Sequence, residues 1–281
     1  MSSKVHGNTV YKILLAILCV FLAILSVLPF LIMLVNATRS TYQIQQKAVS
    51  LIPSKYLISN FQKLVGKSFN PGVGFMNSII ISVCATALAL YFSTLTAFSL
   101  VIYDWKLKNA FFKFILAIMM IPGQITMIGF YQMVYKIHMT NKLLMLILPA
   151  IAAPQMVFFM RQYMIPLLSP SLVESARIDG AKEFRTFNQI VLPIMKPALA
   201  TQAIFAFVAN WNRLFEPLVL LTKRTKYTLP IMVSLLKGDI YRTEHGAIYL
   251  GLSLTALPLI VIYLLLSKYI VSGVALGSVK G

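Results

Sequence analysis

Long apolar runs separated by short charged segments dominate the chain. Ile13–Thr38, Ser68–Tyr103, Phe114–Tyr135, Leu143–Met160 and His245–Ser267 contain no Asp, Glu, Lys or Arg. A hydrocarbon core about 30 Å thick takes about 20 helical residues to cross, so each run is of membrane-span length. A further run, Pro197–Leu221, has the same length but is interrupted by Arg213 and Glu216. The alternating ten-residue segments of a membrane barrel are missing. The pattern predicts an all-α polytopic membrane protein with six transmembrane helices, the fifth unlike the others.

Composition agrees with that class. The chain has 281 residues, 59% of them hydrophobic and 11% charged, with a mean hydropathy of +0.82, which excludes an ordinary soluble domain. Lys4 and Lys12 precede the first run, but the run is too long for a signal h-region and no small-x-small cleavage site follows, so it reads as a retained span. Cys19 and Cys84 both fall inside spans and read as small hydrophobes rather than a disulfide or metal framework. The net charge of +18 reads as basic loops against anionic lipid head groups. Nucleic acid is excluded as a partner, because no basic, aromatic-interleaved face lies outside the spans. Lys and Arg divide equally between the two sides, so the positive-inside rule does not orient the chain.

Several features set the helices against one another. Ala85, Ala89, Ser93 and Ala97 recur every four residues in the second span, a stripe that lets another helix approach closely. Pro122, Pro149, Pro154, Pro217 and Pro258 lie within or at the edges of spans. Each frees a backbone carbonyl, which is tolerated where protein or a wet cavity satisfies it and suits a translocation path better than an anchor. The loop Asn36–Asn70 carries five bases and no acids. Its Gly66-Lys67-Ser68 is half of a phosphate-binding loop, but Phe61 stands where the first glycine is required, so the chain has no nucleotide site of its own. Asn36-Ala37-Thr38 matches a glycosylation sequon by chance.

The stretch ESARIDGAKEFRTFNQIVLP, residues 174–193, gathers three acids and three bases between apolar runs. Ser171 and Glu174 have capping-box spacing at a helix start. Leu168, Leu172 and Ala176 then share one face, and Gly180 ends the short helix. A second helix follows with Ala181, Phe184, Phe187 and Val191 on one face, stopped by Leu192-Pro193. The expectation is a helix–turn–helix lying across the membrane surface, with an interfacial amphipathic loop as the simpler alternative.

Glu174-Ser175-Ala176, Asp179-Gly180-Ala181, Phe187, Ile190 and Leu192-Pro193 resemble the EAA loop of ATP-binding-cassette importer permeases, with Ser175 in place of the second alanine. From about Phe75 onward, Asn210-Trp211-Asn212, Glu216-Pro217-Leu218, Thr228-Leu229-Pro230 and Val279-Lys280-Gly281 are similar to the six-span partner of the maltose-type carbohydrate permeases. The resemblance implies a type I permease fold and a multi-pass protein of the bacterial cytoplasmic membrane with both termini cytosolic. It divides the chain into a cytosolic tail 1–12, a first helix 13–35, an extracytoplasmic loop 36–70, a permease domain 71–271 with a coupling loop at about 169–193, and a cytosolic tail 272–281. The implied partners are a second permease subunit, two ATP-binding subunits and an extracytoplasmic solute-binding protein. ATP and magnesium would sit on the ATP-binding subunits, leaving this chain with no cofactor and no enzymatic activity. Glu174, Ser175, Ala176, Asp179, Gly180, Ala181, Phe184 and Phe187 would form the ATPase-coupling surface.

Arg213 and Glu216 are three residues apart, so on one helix they would share a face and pair. With Asn210, Trp211 and Asn212 they form a candidate lining for the translocation path, since an aromatic ring beside planar amides suits the faces and hydroxyls of a sugar. An interfacial belt with Arg213 reaching the head groups is the alternative. Arg213 departs from the family, which usually has an acid after Trp-Asn. The segment Thr222–Glu244 carries five bases against Asp239 and Glu244, and in related permeases reaches the sugar-binding protein. The expected function is import of a sugar or oligosaccharide. The alternatives are a non-sugar solute and an ion-coupled secondary transporter, the latter disfavoured because five spans lack any charged side chain. A membrane enzyme is disfavoured because no cluster of His, Asp, Glu or Cys lines a span.

Overall fold

The computed structural model describes residues 3–65, 69–236 and 244–278, with side-chain surroundings given for 11–65, 69–236 and 244–265. All of its regular elements among these residues are helical: α1 (Ser3–Ala37), α2 (Thr41–Gln46), α3 (Leu57–Val65), α4 (Pro71–Ile102), α5 (Lys108–Met119), α6 (Gly123–Lys136), α7 (Leu144–Ile147), α8 (Pro154–Leu167), α9 (Pro170–Ile178), α10 (Glu183–Thr186), α11 (Leu192–Ile194), α12 (Lys196–Trp211), α13 (Phe215–Leu220), α14 (Leu229–Leu235) and α15 (His245–Ser278). Four helical segments are long and apolar enough to cross a bilayer, namely Tyr11–Ala37, Pro71–Ile102, Leu144–Leu167 and His245–Leu265. Two bent pairs bring the possible number to six: Lys108–Met119 with Gly123–Lys136, at 97°, and Glu183–Ile194 with Lys196–Trp211, at 79°. Such helices keep every backbone polar group bonded within the segment, which hydrocarbon demands.

The chain forms two compact units, one of residues 1–69 and 233–257, the other of 70–232 and 258–281. In the first unit, the span in α1 keeps none of its most apolar window inside the chain, so its side chains meet lipid or another subunit. Beyond it, the expected loop 36–70 is folded around Arg39 rather than open. Arg39 is only 7% exposed, and its guanidinium donates to Asn36 Oδ1 at 2.9 Å, Lys47 O at 2.8 Å and Gln43 O at 2.9 Å. Its planar fork of donors gathers carbonyls where an ammonium would reach fewer. Ser40 and Gln43 make a capping box that starts α2. Asn60 donates to Ala37 O and Arg39 O, and Gly246 at the start of α15 presses against the same groups. Asn36, the sequon residue, is fully buried and donates to Ala48 O, leaving its amide no access to a glycan. Gly66-Lys67-Ser68 lies outside the described residues.

In the second unit α4 is the axis. At 32 residues it is about 48 Å long. Its stripe Ala85, Ala89, Ser93 and Ala97 is buried throughout, and Gly74, Ser78 and Ser82 extend the same face. Small side chains here let α8 and α12 pack along it at close range. Polar groups of α4 also hold the segment before α14. Asn77 Nδ2 donates to Thr225 O at 3.1 Å and Tyr227 O at 3.0 Å, and Ser78 Oγ accepts from Leu229 N at 2.9 Å. Asn141, in the left-handed region at φ 62°, accepts from Thr222 N and Lys223 N, tying the turn after α6 to the same segment.

Prolines break the spans where the sequence placed them. Pro122 separates α5 from α6, and Pro149 and Pro154 divide the fourth run into α7, a short 3₁₀ turn and α8. Pro258 is accommodated inside α15. The helices α1 and α15 extend through parts of the stretches expected as terminal tails, 1–12 and 272–281.

Glycine-to-alanine substitutions test these close approaches with opposite signs. A Cβ at Gly246 would lie 2.5 Å from Arg39 O and from Asn60 Nδ2, neither of which can swing away. Gly246→Ala should lower the thermal midpoint of the detergent-solubilised protein, with an overpacking cost of about 1–3 kcal/mol. Gly129, inside α6 with nothing within 4 Å of an added Cβ, should gain about 0.5–1 kcal/mol as alanine. A midpoint that stays put for Gly246→Ala overturns this packing.

Candidate functional site

The charged stretch 174–193 folds as two short helical pieces around a tight turn. α9 starts two residues earlier than its spacing suggested. Pro170 takes the first helical position, with Ser169 as N-cap and no side-chain cap bond, so the expected Ser171–Glu174 capping box does not form. Proline is pre-organised for that position because its missing N–H is unpaired there anyway. Ser171 Oγ sits 3.1 Å from Ser169 Oγ instead, and Glu174 is exposed.

The helix ends in a Schellman turn. Ala181 N donates to Ala176 O at 2.9 Å, Gly180 N donates to Arg177 O at 3.0 Å, and Gly180 sits at φ 79°. That backbone conformation excludes most L side chains, which is the physical reason for glycine at this position.

α10 then runs into a π turn, Phe187–Val191, where Leu192 N reaches back to Phe187 O. Pro193 supplies no N–H, and the wider turn accommodates it. Leu192-Pro193 therefore does not stop the helix as expected; the chain stays helical to Ile194 and bends at Met195 into α12.

The faces also differ from the sequence reading. Val173, Ala176, Phe187 and Val191 are buried, but Leu172 is 38% and Phe184 70% exposed. Phe184 and Ile178, the latter 86% exposed, stand out as apolar side chains on the loop, with Glu174, Ser175 and Asp179 also exposed and Ala181 partly covered. A loop rimmed by charges and tipped with two large apolar side chains is a surface made to be covered.

The inward face rests on α4 and α8. Phe187 meets Phe98 with ring centroids 5.7 Å apart and Tyr91 at 5.5 Å, and Met160, Met164 and Met195 pack in the same buried cluster. Thioether side chains fill such irregular seams adaptably.

Three residues missed by the sequence reading tie this loop to the end of α4. Tyr103, at the end of α4, donates its hydroxyl to Glu183 Oε2; Arg177 Nε meets Glu183 Oε1 at 2.9 Å and stacks its guanidinium 5.4 Å from the Tyr103 ring centre. The Tyr103 hydrogen bond and, after it, Arg177 hold the Glu183 carboxyl below its usual range. Burial and the neighbouring carboxylate push the Tyr103 hydroxyl up. A lowered carboxyl stabilises the fold above its unfolded-state pKa and loses that contribution as pH falls through the lowered native value. The only sequence signal for this arrangement was the local excess of charge.

The fifth run breaks at residues 212–214. Pro217 would collide with the carbonyl of Arg213 in a continuous helix, so α12 ends at Trp211 and α13 starts at Phe215. Arg213 Nε and Glu216 Oε1 lie 4.0 Å apart, but across this break rather than along one helical face, and both remain about one-third exposed. Trp211 is 1% exposed, stacked on Phe207 at 5.7 Å and edge-on to Phe75 at 5.8 Å. Asn210 is buried and donates to Thr86 Oγ1 at 3.4 Å. Trp211 and Asn210 are therefore packing groups and leave the expected lining set. Asn212, Arg213 and Glu216 are the members that reach the surface.

The profile of the family described as "Binding-protein-dependent transport system inner membrane component" matches residues 89–276. The chain is 34% identical over 270 residues to an arabinooligosaccharides transport system permease protein of Halalkalibacterium halodurans, covering 95% of this chain and 96% of that one. It is 30% identical to a lactose transport system permease protein of Rhizobium radiobacter, covering 92% of each. In structure it superposes with TM-score 0.80 and 21% identity on a chain from a bacterial ABC transporter involved in the import of the acidic polysaccharide alginate, covering 94% of this chain and 98% of that one. With its helical spans, Schellman-turned surface loop and broken helices, the chain belongs to the family of binding-protein-dependent transport system inner membrane components and has the type I ABC importer permease fold.

Proposed function

We propose that this chain is one of two permease subunits lining the path of an ATP-driven importer for a sugar or oligosaccharide. Relatives named for arabinooligosaccharide and lactose transport support the solute class. The observation that carries the reading is the loop 169–194, which offers Ile178, Phe184 and Glu174 outward while Phe187 and Val191 anchor it inward. Its outward face docks into an ATP-binding subunit, which places the loop and both termini on the cytosolic side. Nucleotide and magnesium bind those subunits and not this chain. Closure of the ATPase pair displaces the loop, and the helices rearrange as rigid bodies between inward- and outward-open states. A second permease subunit closes the path, and an extracytoplasmic binding protein delivers the solute. Proteoliposomes holding the assembled complex should accumulate solute with ATP inside and keep doing so when ionophores collapse ion gradients. Uptake that follows the gradients instead overturns the reading.

Three outcomes test its parts. Glu174→Lys and Phe184→Ser should each release the ATPase on co-purification from membranes, the first because losing one partner of a desolvated charge pair costs about 2–5 kcal/mol, the second because it removes a large apolar side chain from the covered face. Gly180→Pro should abolish transport while the protein still inserts, since proline cannot adopt φ 79° and removes the N–H given to Arg177 O. Wild-type transport by Gly180→Pro sinks the docking assignment.

Across the break in the fifth run, exchanging the charges as Arg213→Glu with Glu216→Arg should restore more solute uptake than either single reversal. A double variant no better than the worse single shows that the two are not partners.

On the opposite side, Lys223, Arg224 and Lys226 form an exposed basic turn held down by Asn77 and Asn141. A basic rim steers an acidic partner at low salt. Replacing the three with serine should slow binding-protein association and flatten its salt dependence. An unchanged on-rate assigns these bases to lipid. Lys237, Asp239 and Arg242 of the same segment lie outside the described residues.

A further inference from the structure

The end of α4 and the loop 169–194 share more than apolar contact. Tyr103 stands one residue beyond the last turn of α4, Arg177 in the last turn of α9 and Glu183 at the first residue of α10. A cation near one helix C-terminus and a carboxylate near the next N-terminus also suit the two helix dipoles. Glu183 uses one carboxylate oxygen for each partner: Oε2 accepts from the Tyr103 hydroxyl, and Oε1 meets Arg177 Nε at 2.9 Å. The Tyr103 ring is fixed in turn, edge-on to Phe98 at 5.4 Å, and Phe98 packs on Phe187 of the loop. Seven residues before Phe98, Tyr91 makes a second, longer bond, its hydroxyl 3.4 Å from Asn188 Oδ1.

We propose that Tyr103 is a positioning residue for coupling: with Glu183 and Arg177 it clips both halves of the loop to α4, so that displacement of the loop moves this helix as one body. The inference rests on the reading of the loop as the ATPase-docking element. The side chains of Arg177 and Glu183 are 42% and 51% exposed, and ion pairs so exposed add little to stability. The clip therefore sets geometry more than it holds the fold. What makes it consequential is the helix it grips. α4 is unbroken from Pro71 to Ile102, and Asn77 and Ser78 near its other end hold residues 225–229 by hydrogen bonds. A continuous helix packed along its length on α8 and α12 carries a shift at one end to the other without an intervening hinge.

The test uses the complete transporter with Tyr103→Phe, which keeps the ring and its packing, and Glu183→Ala, which keeps the aromatic cluster. Each should retain the ATPase subunits and their basal ATP hydrolysis. The amount of solute moved per ATP should fall about two- to fivefold, the range carried by a contact as exposed as this one. Amide hydrogen exchange across residues 174–187 should rise by a similar factor in both variants, and this readout needs no bound ATPase. Unchanged exchange in both variants overturns the clip even if Glu174→Lys still releases the ATPase. Faster exchange together with an ATPase that ignores Glu174→Lys keeps the clip and sinks the docking assignment instead. Faster exchange with an unchanged ratio of solute to ATP removes the role in coupling.

Discussion

Close approach along one face of α4 is the constraint on which the larger unit depends. Between membrane helices there is no hydrophobic driving force, since lipid is as apolar as leucine, so association rests on contact distance and shape. Gly74, Ser78, Ser82, Ala85, Ala89, Ser93 and Ala97 give α4 a face almost without side-chain bulk, and every one of them is buried. The helices that pack on it, α8 and α12, are those leading into and out of the loop 169–194. The loop thus inherits its position from a stripe of small residues before its own charges clip it to the end of α4.

A second constraint shapes the helices themselves. Proline inside a span removes one hydrogen bond and forces a choice between a bend and a break. Pro122 and Pro217 take the break, Pro193 is absorbed by a π turn, and Pro258 stays within α15. Where the fifth run opens, it exposes Asn212 and leaves Arg213 and Glu216 paired across the gap. Ionisable groups inside a bilayer persist when they face each other or a wet cavity, and the break brings these two within 4.0 Å of one another.

The smaller unit solves a different problem, that of an irregular chain with buried polar backbone. Among the described residues, Arg39 has no acid among its hydrogen-bond partners and is satisfied by backbone carbonyls and one amide oxygen. Asn60 does the same for the end of α1, and Gly246 leaves space for both. Polar groups removed from water cost far less when each finds a partner, and here almost every one does.

Period and composition alone determined the all-helical membrane class, the number of apolar runs, the small-residue face of α4, the proline breaks and the turn at Gly180. These follow from local rules, because hydrocarbon thickness sets span length and positive φ selects glycine. The sequence could not say which way the helical faces turn. Leu172 and Phe184 share faces by spacing with the buried Ala176 and Phe187 yet lie exposed, and Pro170 at the first helical position leaves Glu174 without the capping role its spacing suggested. Trp211 read as a solute-facing ring, yet Phe75, distant in sequence, covers it. Tyr103 lies 80 residues from Glu183, so no local pattern could pair them. Tertiary structure decided these points because burial and side-chain partnership depend on what the rest of the chain brings alongside, and residue spacing encodes only what lies within a turn or two.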